Sequence, residues 1–150
     1  MEGGIFSPAE DNMSDDLYQE IILDHFKNPR NCKAVPGRTH WESASNSLCG
    51  DRIEVSAVIS DGIIADMGIE VAGCAICKAS GSIMTELVTG LSLEEAEAVT
   101  QTVCQIVDGA GPLPQVEGDI LALVQIRDFP MRRGCALLAW NALKQILQAS

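Results

Sequence analysis

Basic residues are scarce in this 150-residue chain. Ten Lys and Arg stand against 21 Asp and Glu, for a formal net charge of -11. That balance argues against nucleic acid as a partner, because such affinity rests on Lys and Arg neutralising phosphates. It equally disfavours an anionic membrane surface, and leaves a basic protein partner open. Long apolar runs are missing too. No stretch approaches about 18 residues, so no transmembrane helix is expected. The segment "MEGGIFSPAEDNMSDD" has neither a basic start nor an apolar core, so it does not read as a signal or transit peptide. Residues 1–14 are expected to be a disordered acidic tail and the protein to be cytoplasmic. Internal repeats and low-complexity segments are absent, and residues 15–150 fit one domain.

What the chain does have is apolar residues and cysteine. Hydrophobic residues make up 47% of it, enough to build a core without disulfide staples. In a reducing cytosol, cysteines 32, 49, 74, 77, 104 and 135 point to metal binding or thiol chemistry rather than a disulfide framework.

The pattern along the chain predicts an α+β fold. "SDDLYQEIILDHFKNP" places Leu17, Ile21, Ile22 and Phe26 at helical spacing, with Ser14 or Asp15 as cap and Pro29 as stop. His25 on this helix is either a packed, satisfied histidine or a ligand or proton donor. The polar stretch that follows is loop with one short strand near Thr39–Ser43. "RIEVSAVIS" alternates, with Ile53, Val55, Ala57 and Ile59 on one face. "IIADMGIEVAG" alternates with Ile63, Ala65, Met67, Ile69 and Val71. Asp61-Gly62 between them is a hairpin signal. Residues 39–72 therefore read as a small antiparallel three-stranded sheet. The rest is helical: Ile76 to Val88, stopping at Gly90; a capping box Ser92–Glu95 opening a helix to about Val107; the short "GDILALVQI"; and a final helix burying Leu137, Leu138, Ala142, Leu143 and Ile146. These helices are expected on one face of the sheet.

Three cysteines occupy comparable places. Cys49 precedes a strand in a Gly-containing loop, Cys74 lies where a strand turns into a helix, and Cys135 lies early in the last helix. A helix N-terminus offers partial positive charge and free N–H donors, both of which stabilise a thiolate. Three thiolates and one carboxylate complete a tetrahedral zinc site. Asp51, two residues after Cys49, is the candidate carboxylate, on the same face if that stretch is extended. Cys74 and Cys77 also form a C-x-x-C, which by itself fits a redox disulfide, half a zinc site, or two buried thiols. No βαβ pattern surrounds it, which counts against a thioredoxin-like oxidoreductase. Cys104 reads as a small buried hydrophobe and Cys32 as a loop thiol without a role.

"YQEIILDHFKNPRN", "LCGDRI", "GCAICKASGSIMTELVTG" and "FPMRRGCALLAW" together resemble the SufU/IscU family, which includes the NifU N-terminal domain. The resemblance runs from about Leu17 to Leu147. It implies a role in iron–sulfur cluster assembly. The IscU branch builds a [2Fe–2S] cluster on the site; the SufU branch binds zinc and accepts persulfide sulfur from a pyridoxal-phosphate cysteine desulfurase, SufS. IscU-type chains carry a histidine before the last cysteine and an L-P-P-V-K motif. Here Gly134 stands at that position, and "GPLPQV" (Gly111 to Val116) echoes the motif only faintly. The stretch between Leu91 and Pro130 resembles the SufU insertion.

The SufU resemblance implies Zn2+ on Cys49, Asp51, Cys74 and Cys135, with iron or a transient cluster as the alternative cofactor. It implies docking to a SufS-like desulfurase through Arg132, with cluster scaffolds or apo-proteins downstream. Cys49 is the candidate persulfide acceptor, because its Gly-flanked loop reads as the most mobile. Whether the chain is then a zinc-dependent sulfurtransferase, a non-enzymatic scaffold, or only a zinc-stabilised interaction domain stays open. Two positions depart from SufU. Cys77 replaces a serine and is either an idle buried thiol or a group at the edge of the site. Gly134 replaces a lysine, a loss of charge that Arg133 is placed to offset.

Overall fold

The computed structural model describes residues 19–109 and 118–150. The expected tail, the Ser14/Asp15 cap, Leu17 and the "GPLPQV" stretch lie outside them. Helix α1 covers residues 19–27. Strands β1 (His40–Asn46), β2 (Asp51–Ser60) and β3 (Ile63–Ala72) follow. Then come α2 (Ala75–Val88), α3 (Leu93–Asp108), a 3-10 segment (Gly118–Asp128) and α4 (Pro130–Gln148). The strands form one antiparallel sheet in the order β1-β2-β3. Among the described residues no helix is long and apolar enough to cross a membrane.

The local rules largely hold. Asp61 and Gly62 both take positive φ, 53° and 74°, as a two-residue type I′ hairpin turn requires. Ser92 Oγ accepts from the Glu95 N–H at 3.1 Å, while Glu95 Oε1 accepts from the Ser92 N–H at 3.0 Å. Both halves of the capping box are therefore made. Gly109, left-handed at φ 70°, closes α3.

Strand β3 departs from its predicted face. Val58 pairs with Asp66 but Ile59 pairs with Ile64, so Ala65 is an extra residue in β3. A bulge of this kind shifts the two-residue alternation by one. Ile64 is consequently buried, and Ile63 is 39% exposed. Strand β1 also runs three residues further than expected, to Asn46.

Helix α4 packs on β1 and β2, and α2 on β3 and α4. Their apolar faces meet Ile53, Val55, Ala57, Met67 and Ile69 in one core. Trp140 is fully buried there, donating its indole N–H to Ser80 Oγ at 3.0 Å; Ser80 donates to the Ala136 carbonyl at 2.6 Å. Leu137 lies at the edge of this face rather than inside it. On the reverse of the sheet, buried Val35 donates its N–H to Ser56 Oγ at 3.0 Å. A Cβ on Gly68 would stand 2.1 Å from the Lys33 carbonyl oxygen, so only glycine lets this loop lie down. His25 is the satisfied histidine. It is fully buried, with Nδ1 2.8 Å from Ser82 Oγ and Nε2 2.7 Å from Asp119 Oδ2. It thereby ties α1 to α2 and to the 3-10 segment, while Phe26 is 37% exposed.

Candidate metal centre

The extended β1 turns the Cys49 loop into a tight hairpin. Asn46 pairs with Asp51 across the strands, and the Gly50 N–H donates to the Asn46 carbonyl at 2.8 Å. Gly50 takes φ 72°, a left-handed turn position natural to glycine. Cys49 and Asp51 are thus not successive same-face residues of an extended strand, as the sequence suggested. The turn between them brings them to one place.

At that place Cys49 Sγ lies 2.9 Å from Cys135 Sγ. One ligating atom each from Cys49, Asp51 and Cys135 lies within 4.8 Å of the other two. Cys74 joins through the carboxylate: its thiol donates to Asp51 Oδ2 at 3.2 Å and its N–H to Asp51 Oδ1 at 3.0 Å. A Cβ on Gly73 would meet Asp51 Oδ1 at 2.6 Å, so glycine at 73 makes room for that carboxylate. Asp51 and Cys135 are buried, at 2% and 3% exposure, whereas Cys49 is exposed. All six cysteines are free thiols.

The electrostatics differ from the expected pair of helix N-termini. Cys74 is the N-cap of α2, and its sulfur accepts from the Cys77 N–H at 3.5 Å. Cys135, the sixth residue of α4, lies past the first turn, beyond the free N–H groups. Burial pushes the Cys135 thiol well above its ordinary range, and its contacts to Asp51 and Cys49 add to that. Burial would also raise Asp51. Hydrogen bonds from Cys135, Cys74 and Cys49 outweigh it and hold the carboxyl below its usual value. The arrangement gathers acidic groups that oppose each other's ionisation, and a bound cation reverses that opposition. The donors, three thiols and a carboxylate, suit zinc or iron rather than magnesium or calcium. Two sulfurs at tetrahedral zinc distance stand about 3.8 Å apart. The 2.9 Å Cys49–Cys135 separation would have to open to that value around a zinc ion, and Cys49 is the exposed member of the pair.

The NifU-like N terminal domain family matches residues 17–136. The chain belongs to that family. The zinc-dependent sulfurtransferase SufU of Bacillus subtilis is 36% identical over 132 residues, covering 87% of this chain and 89% of that protein. The iron–sulfur cluster assembly scaffold protein IscU of Streptococcus pyogenes is 34% identical over 135 residues, covering 89% and 84%. A crystal structure of a candidate cluster assembly scaffold for the SUF system from Fervidobacterium islandicum superposes with TM-score 0.81 at 28% identity. It covers 89% of this chain and 98% of that one.

In this NifU-like domain Cys77 reaches the cluster through its backbone N–H, while its thiol is fully buried in the core. Burial raises that thiol to about 12, assisted by the charges of Asp51, Cys74 and Cys49. Cys32 is exposed, and Cys104 is half-buried on α3. Arg132 is exposed, its guanidinium 5.6 Å from the Phe129 ring centre. With Phe129 and Met131 it lines a groove of about 630 Å³ that runs from Cys49, Cys74 and Cys135 to Ile22 and Leu23 of α1. Arg133, two residues before Cys135, donates its Nη2 to the Arg127 carbonyl at 2.5 Å. Sequence reasoning missed Asn46 and Gly73. Gly73 opens one of the quoted motifs and Asn46 lies two residues before another, but only side-chain packing reveals their contacts.

Proposed function

We propose that Cys49, Asp51, Cys74 and Cys135 hold a zinc ion and that Cys49 accepts sulfur from a pyridoxal-phosphate cysteine desulfurase during iron–sulfur cluster assembly. The observation that carries this reading is the convergence of Cys49, Asp51 and Cys135 within 4.8 Å, with Cys74 seated on the same carboxylate. The likeness to the SufU of Bacillus subtilis supports zinc and sulfur transfer.

Zinc bound there would keep the thiols deprotonated and guard them from oxidation. Loss of the Cys74 proton frees Asp51 Oδ2, while the Cys74 N–H still orients Oδ1. Cys49 is the reacting sulfur because it alone of the three cluster cysteines is exposed. Its thiolate attacks the outer sulfur of the partner's cysteine persulfide. A new S–S bond forms on Cys49, the partner's S–S bond breaks, and the partner's cysteine leaves as thiolate. Arg132, with Phe129 and Met131 exposed beside it, is the docking residue on the partner side of the groove. Freshly purified protein should hold one zinc. Cys49→Ser should abolish stimulation of desulfurase turnover, and full retained stimulation would reject the reading.

A second reading has the same thiolates carry a [2Fe–2S] cluster as cargo, which the likeness to IscU of Streptococcus pyogenes favours. Anaerobic reconstitution separates the two. A stable chromophore that passes to an apo-ferredoxin supports the scaffold, and a colourless zinc protein supports the carrier.

A further inference from the structure

The hairpin that carries Cys49 is organised by one residue. Asn46 Oδ1 accepts from the Leu48 N–H at 3.0 Å, and the Asn46 carbonyl accepts from the Gly50 N–H at 2.8 Å. The remaining donor, Asn46 Nδ2, crosses to α4 and lies 3.9 Å from Cys135 Sγ. The residue it meets on α4 is Gly134, where a Cβ would stand 2.8 Å from that same nitrogen. A side chain at 134 would require the Asn46 amide to shift from this place.

Nothing else requires glycine at 134. The position is exposed, lies inside a 19-residue helix, and has no left-handed φ. Alanine is the better residue in such a helix interior. The close approach of the Asn46 amide is the contact that favours glycine there. It mirrors the other half of the site, where Gly73, just before Cys74, makes room for Asp51. The two polar residues that bracket the Cys49 hairpin are each received by a glycine that precedes a cluster cysteine.

We propose that Asn46 and Gly134 are a matched positioning pair. Gly134 leaves the space, and the Asn46 amide fills it, holding the Cys49 hairpin against Cys135 and donating an N–H to the Cys135 sulfur. Its effect on metal affinity rests on the metal-site reading above; its effect on thiol geometry does not.

The test uses the full chain as wild type, Asn46→Ala, Gly134→Ala and the double variant. In metal-free protein, diamide oxidises Cys49 and Cys135 to a disulfide. The thiols lose two protons and two electrons, and diamide is reduced to its hydrazine. Peptide mapping follows the rate. Each single variant should slow the cross-link several-fold, and the double should be no slower than Asn46→Ala, because the clash vanishes with its partner. For zinc, measured by chelator competition, each single variant should weaken binding about 10-fold, and the double should stay within about twofold of Asn46→Ala. Gly134→Ala in the Asn46→Ala background should also raise the unfolding temperature of the metal-free protein, the gain expected from alanine in a helix. Asn46→Asp keeps the acceptor for Leu48 but loses the N–H and adds charge, so it should weaken zinc binding as Asn46→Ala does. The proposal is overturned if Gly134→Ala slows the cross-link equally in both backgrounds, or if neither single variant slows it. If the wild type takes up no zinc, the metal reading fails, and the cross-linking rates still decide the pair.

Discussion

Replacing Gly73 by alanine isolates the contact that seats Asp51. Gly73 has no left-handed φ, so alanine strains no backbone dihedral. Its new Cβ would lie 2.6 Å from Asp51 Oδ1 and 2.8 Å from Cγ, and the carboxylate must move. Movement breaks the bonds from the Cys74 N–H at 3.0 Å and the Cys74 thiol at 3.2 Å. Hydrogen bonds to a charged group contribute about 1.5–3 kcal/mol each. Alanine offsets about 0.4–1 kcal/mol by restricting the unfolded chain. Rotation of Asp51 towards water recovers part of the remainder, leaving a net loss of about 2–4 kcal/mol. For a domain of this size that corresponds to a fall in Tm of about 5–15 °C. Thermal unfolding of the metal-free protein reads this loss, and chelator competition should show zinc binding weakened by 10-fold or more, at the order expected for a displaced ligand support. An unchanged Tm together with zinc affinity within about twofold of wild type would refute the role given to this contact.

Three further predictions follow from the core and the site. Ser80→Ala orphans the buried Trp140 N–H and should cost about 1–3 kcal/mol in urea unfolding, with zinc binding intact. His25→Gln should loosen α1 and the 3-10 segment together, seen as faster amide exchange in both, because His25 is the buried tie to Ser82 and Asp119. The raised Cys77 thiol favours the protonated form in the folded state. Its stabilising contribution is present below the ordinary value of 9.0 and lost as pH rises towards about 12. Cys77→Ala should flatten that part of the stability–pH curve while leaving zinc affinity far closer to wild type than Cys74→Ser does.

Much of the fold is legible in sequence because its signals are local. Asp61-Gly62 encodes its turn through φ, and Ser92–Glu95 encodes its cap through two hydrogen bonds three residues apart. The face of β3 is not legible. The bulge at Ala65 depends on pairing with β2, and alternation read in one strand alone puts Ile63 where Ile64 belongs. At the site, residue types and motif order single out the cysteines and Asp51. Their environment is not predictable from the helix argument, since it turns on Cys135 sitting one turn too deep in α4 to meet a free N–H. Gly73 and Gly134 act through space left empty, and Asn46 through contacts across the fold, neither of which a spacing rule registers.

Sulfur transfer to Cys49, at the site it shares with Asp51, Cys74 and Cys135, can be read on the residue itself. The most direct measurement mixes the zinc-loaded chain with a cysteine desulfurase and cysteine and maps the product by mass spectrometry under non-reducing conditions. Cys49 should gain one sulfur atom, and Cys49→Ser should gain none at that position. Sulfur found on Cys32 or Cys104 instead, or undiminished transfer to Cys49→Ser, would contradict it.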